Sequence, residues 1–241
     1  MIISLICMFF AAGAGGVLQN LAAALILCGF ITLSLAMMLA SSYLLTKTVL
    51  KGEKSSFVME LPAYRAPQVG KVIVRSVFDR IIFVLARAVS VAAPAGLVIW
   101  LAANVNIGSS NLLSHCSSFL EPVGALLGMD GVILLSFVLA LPANEIVLPI
   151  AVMAYTSAGA LDATSTNAVV HEILVQNGWT WKTAFCVIVF SLMHWPCSTT
   201  LLTVKKELGS WKLAALSFVL PCAFGVILCV IFNLIFSFLG F

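Results

Sequence analysis

Four long stretches of this chain carry no charged side chain at all. No Asp, Glu, Lys or Arg occurs from Met1 to Thr46, from Ala88 to Leu120, from Thr183 to Val204 or from Leu213 to Phe241. A helix that crosses the hydrocarbon core of a bilayer needs about 20 apolar residues, and each stretch is long enough. Only 9% of the residues are charged and 62% are hydrophobic, against about 25% charged in a soluble domain. A water-soluble fold of this size could not hide so much apolar surface, so lipid must be the solvent. The expected fold class is all-α: a polytopic bundle of transmembrane helices, multi-pass and in contact with membrane lipid.

The remaining charges are grouped. Lys47, Lys51, Lys54, Arg65, Lys71, Arg75 and Arg80 cluster in one connection, which the positive-inside rule places in the cytoplasm. This basic stretch is short and adjoins membrane segments, so no nucleic-acid partner is expected. The seven cysteines form no C-x-x-C pair, which argues against a disulfide framework or a zinc site. Cys7, Cys28, Cys186, Cys222 and Cys229 sit in apolar runs, where a thiol acts as a small packing group. Met1 to Phe10 lacks the basic flank of a signal peptide.

Along the chain, Ile2 to Ala12 is too short to span alone and ends in a glycine-rich turn. Val17 to Leu45 and Ile81 to Ala103 read as full spans, and Lys212 to Phe238 as the last one. Arg80 and Arg87 share a helix face from which their stems could snorkel. Asn104 to Asp130 reads as a polar connection holding His115 and Cys116. Ser165 to Gln176 reads as a short surface helix, and Leu208 to Trp211 as a tight turn. If Asn104 to Asp130 and Thr156 to Thr180 both lie outside, Gly131 to Tyr155 must enter the membrane and return as a re-entrant hairpin. Trp181 to Val204 then crosses inward, leaving Lys205, Lys206 and Lys212 inside.

Two of the apolar runs are interrupted in the middle, at Leu141-Pro142-Ala143-Asn144-Glu145 and at His194-Trp195-Pro196-Cys197-Ser198. A proline inside a helix removes a hydrogen bond and clashes with the preceding turn. At membrane depth the freed backbone groups persist only when buried in protein or lining a wet cavity. Paired Pro-interrupted segments are the sequence pointer to a transporter's binding site. Each break should start a new half-helix, capped by Asn144 in the first and by Ser198, Thr199 or Thr200 in the second.

Several side chains at these breaks could carry chemistry. Glu145 lies between apolar stretches, where a carboxylate is costly, and is expected to face a cavity, pair with a base such as Arg87, or bind a cation. Cys197 stands at the start of a half-helix, a position that favours thiolate, and thiolate is a soft ligand suited to transition metals. With Asn144, Glu145, Ser198, Thr199 and freed carbonyls it would make a mixed, loose site, suited to an ion that must leave again. His194 could bind the same metal or relay protons. Against these readings stand a simple proline kink, a capping Glu145, a packed Cys197 and a His194 satisfied at a helix end. No G-x-x-x-x-G-K-[ST] loop and no G-x-S-x-G elbow is present, so neither nucleotide hydrolysis nor other enzyme chemistry is expected of this chain. No cofactor is expected either.

Three segments together resemble one family. Phe57-Val58-Met59-Glu60-Leu61-Pro62-Ala63-Tyr64-Arg65-Ala66-Pro67 is similar to a motif at the membrane entrance of ferrous-iron transport protein B, the FeoB family. Leu141 to Pro149 resembles its mid-membrane motif, and His194 to Glu207 its second gate motif. The resemblance implies bacterial inner-membrane uptake of Fe²⁺ as transported substrate, with Cys197 on the iron path. It also implies a GTP-binding domain and most of a first gate that this chain lacks, Met1 to Ala12 resembling that gate's tail, so that the chain would be either a split subunit partnered by a second chain that carries them or a truncated piece; homo-oligomerisation is left open. The implied organisation is 1–45 as N-terminal membrane helices, the tail of the first gate; 46–76 as a cytoplasmic connection with the Glu-Leu-Pro motif; and 77–241 as the gate-type membrane domain. The alternatives are a non-transporting fragment or assembly subunit, and a nucleoside-type permease.

Overall fold

The computed structural model describes residues 1–10, 17–48, 70, 74–75, 77–107, 110–156 and 167–239. The Glu60-Leu61-Pro62 motif, most of the 46–76 connection and the glycine-rich turn lie outside the described residues; for Arg80 and Arg87 the backbone alone is described, so their expected snorkelling and the pairing of Arg87 with Glu145 lie outside as well.

The protein is built of helices. In chain order they are α1 (Ile2–Phe9), α2 (Val17–Thr48), α3 (Phe83–Asn104), α4 (Leu112–Leu126), α5 (Gly131–Leu139), α6 (Val147–Thr156), α7 (Asn167–Gln176), α8 (Trp181–Met193), α9 (Ser198–Leu208) and α10 (Trp211–Phe238). A π-helical stretch, Val77–Ile82, leads into α3, and a 3₁₀ turn, Asn144–Ile146, leads into α6. A two-residue antiparallel pairing of Asn106–Ile107 with Ser110–Asn111 closes the turn between α3 and α4.

Asn20–Lys47, Trp181–Leu208 and Trp211–Phe238 are long and apolar enough to cross a membrane among the described residues. They match three of the charge-poor runs, as hydropathy requires. Lysines sit over aromatic rings at two of their ends: Lys47 over Tyr43 at 4.8 Å and Lys205 over Trp211 at 4.7 Å. Such aromatic–cation pairs suit the membrane–water boundary, where an amphipathic ring and a charge share one level. Gly209 adopts φ 65 and closes α9 with a left-handed cap, so the chain turns sharply into α10 as the tight turn predicted.

The core is organised around α8. Ala184, Cys186, Val187, Ile188, Val189, Phe190 and Met193 are all buried, and a helix that is apolar on every side belongs inside a bundle. It packs against α10, α1 and α2. Phe185 touches Phe30 of α2 at 5.3 Å and Phe232 of α10 at 4.9 Å, both ring pairs tilted toward the favoured edge arrangement. The short α1 adds Leu5 and Ile6 to the same core.

One expectation needs correction. His115 and Cys116 do not lie in a loop; they are exposed on the 15-residue helix α4. Its serines, His, Glu and proline read as a connection, yet Leu113, Ser117 and Gly124 are buried. The small residues are the reason. A Cβ at Gly124 would stand 2.7 Å from the Asp130 carbonyl carbon, and one at Gly131 would overlap the Ser117 carbonyl oxygen. Glycine at both positions lets α4 and α5 pack closely across a bend of 107°.

Candidate functional site at two helix breaks

Both predicted breaks are present. The helix α5 stops at Leu139 and helical backbone resumes at Asn144; α8 stops at Met193 and α9 begins at Ser198. The half-helices are too short to cross alone: the 9 residues of α5 rise only about 14 Å at ~1.5 Å each.

The first broken run folds back. Asp130 caps the start of α5, accepting from the Ile133 N–H at 2.8 Å. Tyr155, near the end of α6, donates its hydroxyl hydrogen bond to that same Asp130 carboxylate. The Trp179 indole N–H donates to the Tyr155 hydroxyl at 2.9 Å, two residues before α8 starts. The beginning of α5, the end of α6 and the beginning of α8 therefore share one end of the bundle, and α5 and α6 pack on each other. The second broken run does not return; Trp181–Leu208 continues as one span.

The breaks meet. The Ser198 N–H, the first donor of α9, reaches the Leu141 carbonyl in the first break at 2.9 Å. Each proline frees backbone groups that lipid could not satisfy, and here a donor orphaned by one break answers an acceptor in the other. Around this contact, Phe137 of α5 meets the Phe190 ring at 4.8 Å and the His194 ring at 5.3 Å. Trp195 stacks on Phe218 of α10 at 5.4 Å.

The caps differ from expectation. Cys197, not Ser198, is the cap residue of α9, with the extended backbone (φ −60, ψ 155) that the position requires; Ser198 is already helical. The Cys197 thiol instead lies 3.1 Å from the Thr199 hydroxyl and 3.0 Å from that of Thr200. Ala143, extended at φ −152, precedes the 3₁₀ turn, so Asn144 is inside the turn and its side chain caps nothing.

The site residues divide. Asn144, His194, Cys197, Ser198 and Thr199 are half-buried at the breaks, whereas the Glu145 side chain is exposed at the surface of the chain. His194 places Nδ1 2.8 Å from the Ser191 carbonyl. A carbonyl only accepts, so Nδ1 carries the hydrogen and Nε2 of the neutral ring presents its lone pair. Two residues at this place were not singled out by the sequence: Ser191 and Trp195. Ser191 precedes His194 by three, a spacing that shares a helix face, and this was the available signal. Among the described residues no group of three or more His, Cys, Asp and Glu side chains could hold a metal ion. What the breaks offer is the Cys197 sulfur, hydroxyls, an amide, an imidazole and backbone carbonyls.

The fold and this crossing define a multi-pass α-helical membrane protein with paired broken helices. Residues 85–211 match the family model described as Gate, nucleoside recognition, and residues 27–80 match that of ferrous iron transport protein B C terminus. The chain is 30% identical over 218 residues to a protein of Staphylococcus aureus (strain MSSA476) named Fe(2+) transporter FeoB, covering 86% of this chain and 31% of the relative. Proteins of that same name in Leptospira interrogans (strain Fiocruz L1-130) and Methanocaldococcus jannaschii are 24% and 23% identical, covering 79% and 85% of this chain and 30% and 32% of theirs. No solved structure matches it. The chain belongs to the ferrous iron transport protein B family and corresponds to its C-terminal membrane part. It spans about a third of the length of the curated relatives it matches.

Proposed function

We propose that this chain is the membrane-permease part of a ferrous iron uptake transporter of the bacterial inner membrane, and that Fe²⁺ passes where the two broken helices cross. The observation that carries the reading is the Ser198 N–H to Leu141 carbonyl contact, which brings unwound backbone of two runs to one place inside the bundle. The relatives' shared name supplies the cargo. Cys197 is the soft ligand on the path, assisted by Asn144, Ser198, Thr199 and the Nε2 of His194. Without a cluster of charged ligands the ion is held weakly at each step, as conduction requires. Glu145, exposed on the chain surface, serves the path only if another part of the transporter covers it.

The same reading divides the chain at 46–76 between N-terminal membrane helices and the gate-type domain, and assigns GTP coupling to a G-domain and first gate outside these residues. A nucleoside cargo is disfavoured by the names of the curated relatives, all of which are iron transporters among those cited. The test is uptake of labelled Fe²⁺ by cells carrying a complete transporter that contains this chain, with and without Cys197→Ala. A large loss of uptake at unchanged protein level is expected; undiminished uptake removes Cys197 from the path.

A further inference from the structure

Five buried side-chain polar atoms at the crossing have no hydrogen-bond partner among the described residues: Asn144 Oδ1, Ser191 Oγ, His194 Nε2, Trp195 Nε1 and Ser198 Oγ. All belong to the two breaks or to the last turn of α8 before the second one. Among the described residues, other buried side-chain polar atoms are paired. Trp179, also buried, gives its indole N–H to Tyr155, and Ser136 gives its hydroxyl to the Val132 carbonyl. The orphans therefore all lie on residues of the two breaks or of the helix turn before the second, which the Ser198 N–H to Leu141 carbonyl contact joins, and a native fold satisfies such groups with partners or with ordered water.

The chemistry of the five atoms selects the occupant. Asn144 Oδ1 and His194 Nε2 are acceptors, the latter because Nδ1 spends its hydrogen on the Ser191 carbonyl. Trp195 Nε1 is a donor only, and its side chain is 8% exposed. The two serine hydroxyls serve either way. A bare cation would satisfy the acceptors and leave the indole N–H facing a positive charge. An anion would satisfy the indole and repel the acceptors. Water both donates and accepts, and a buried water takes about three such partners.

We propose that the crossing of the two breaks is a water-binding chamber, in which Trp195 Nε1 donates to bound water and Asn144 Oδ1 and His194 Nε2 accept from it. An ion at the crossing meets Trp195 only through that water. The inference concerns the same place as the iron path but does not depend on which cargo passes, or on any passing.

Radiolytic hydroxyl labelling of the iron-free chain in lipid nanodiscs, read by mass spectrometry, tests it, because hydroxyl radicals made from bound water mark the side chains beside it. Trp195 and Trp179 have similar burial and differ in that only the indole of Trp179 has a partner in the chain. Oxidation of Trp195 severalfold faster than of Trp179, with exposed Trp211 as the upper reference, is the expected result. Equal, slow oxidation of Trp195 and Trp179 overturns the chamber. Fe²⁺ uptake does not enter the readout, so loss of the iron reading would leave this result standing, and the reverse.

Discussion

Tyr155 and Asp130 stand at opposite ends of the first broken run, and the Tyr155 hydroxyl donates to the Asp130 carboxylate. The link pins the end of α6 to the start of α5, and through Trp179 to the start of α8. Tyr155→Phe removes one group that both donates to Asp130 and accepts from the Trp179 indole. An unsatisfied buried polar group costs about 1–3 kcal/mol, so the variant should melt measurably lower in a thermal scan of the purified protein. An unchanged midpoint would mean the latch contributes nothing to holding the hairpin.

Gly131 is expected to be intolerant for a steric reason. A Cβ there would overlap the Ser117 carbonyl oxygen, whereas nothing lies within 4 Å of a Cβ at Gly29. Overpacking costs about 1–3 kcal/mol. Gly131→Ala should therefore lower the melting midpoint and Gly29→Ala should not, measured side by side in the same detergent.

Asn233 lies in the last span, yet its amide donates to the Ala125 and Leu126 carbonyls at 3.0 and 3.1 Å. It thereby closes the C-terminal end of α4, whose last carbonyls lack partners in their own helix. Polar contacts between helices in membranes contribute about 0.6 kcal/mol on average and up to about 1.7. Asn233→Leu should destabilise within that range in reversible denaturant titration, despite making the helix more hydrophobic.

The inter-break hydrogen bond can be removed on its own. Ser198 is the first residue of α9 and Cys197 before it is extended at φ −60, ψ 155, which are the conditions under which proline is tolerated. Ser198→Pro keeps the helix start but deletes the N–H that reaches Leu141; Ser198→Ala keeps that N–H. Both remove the hydroxyl. Lower thermal stability and lower Fe²⁺ uptake in the proline variant than in the alanine variant is the expected order, and equality of the two would show that the contact between breaks does not matter.

Cys116 is exposed on α4, while Cys186 and Cys229 are buried. The positive-inside reading of the basic connection puts α4 toward the outside. A membrane-impermeant maleimide added to intact cells should then label the protein, and Cys116→Ser should abolish that label. Persistence of the label would reverse the orientation or place the reactive thiol elsewhere.

The sequence legibly contained the membrane helices and both breaks. Long charge-free runs and a proline's missing N–H act locally, and Leu139 and Met193 end their helices as those prolines require. Less of the site was legible. Helix α4 read as a connection because its buried face, besides Leu113, is made of Ser117 and Gly124, small groups that signal close packing only once the partner helix is known. Glu145 was expected to face a cavity because its cost in lipid is high; its side chain is exposed on the chain, and what lies against it there depends on neighbours that the sequence around it does not specify.

Hydrophobic run length and backbone chemistry in this sequence were enough to determine an all-helical membrane protein interrupted at Pro142 and Pro196. The charge distribution also led to the expectation that the first interrupted run returns while the second crosses; only the tertiary structure decided that the Ser198 N–H finds the Leu141 carbonyl and that buried polar atoms of Trp195 and Ser191 at the second break find no partner among the described residues. The physical reason is range: a helix and its break are settled by neighbours within a turn or two, whereas the meeting of two breaks depends on how every helix around them packs.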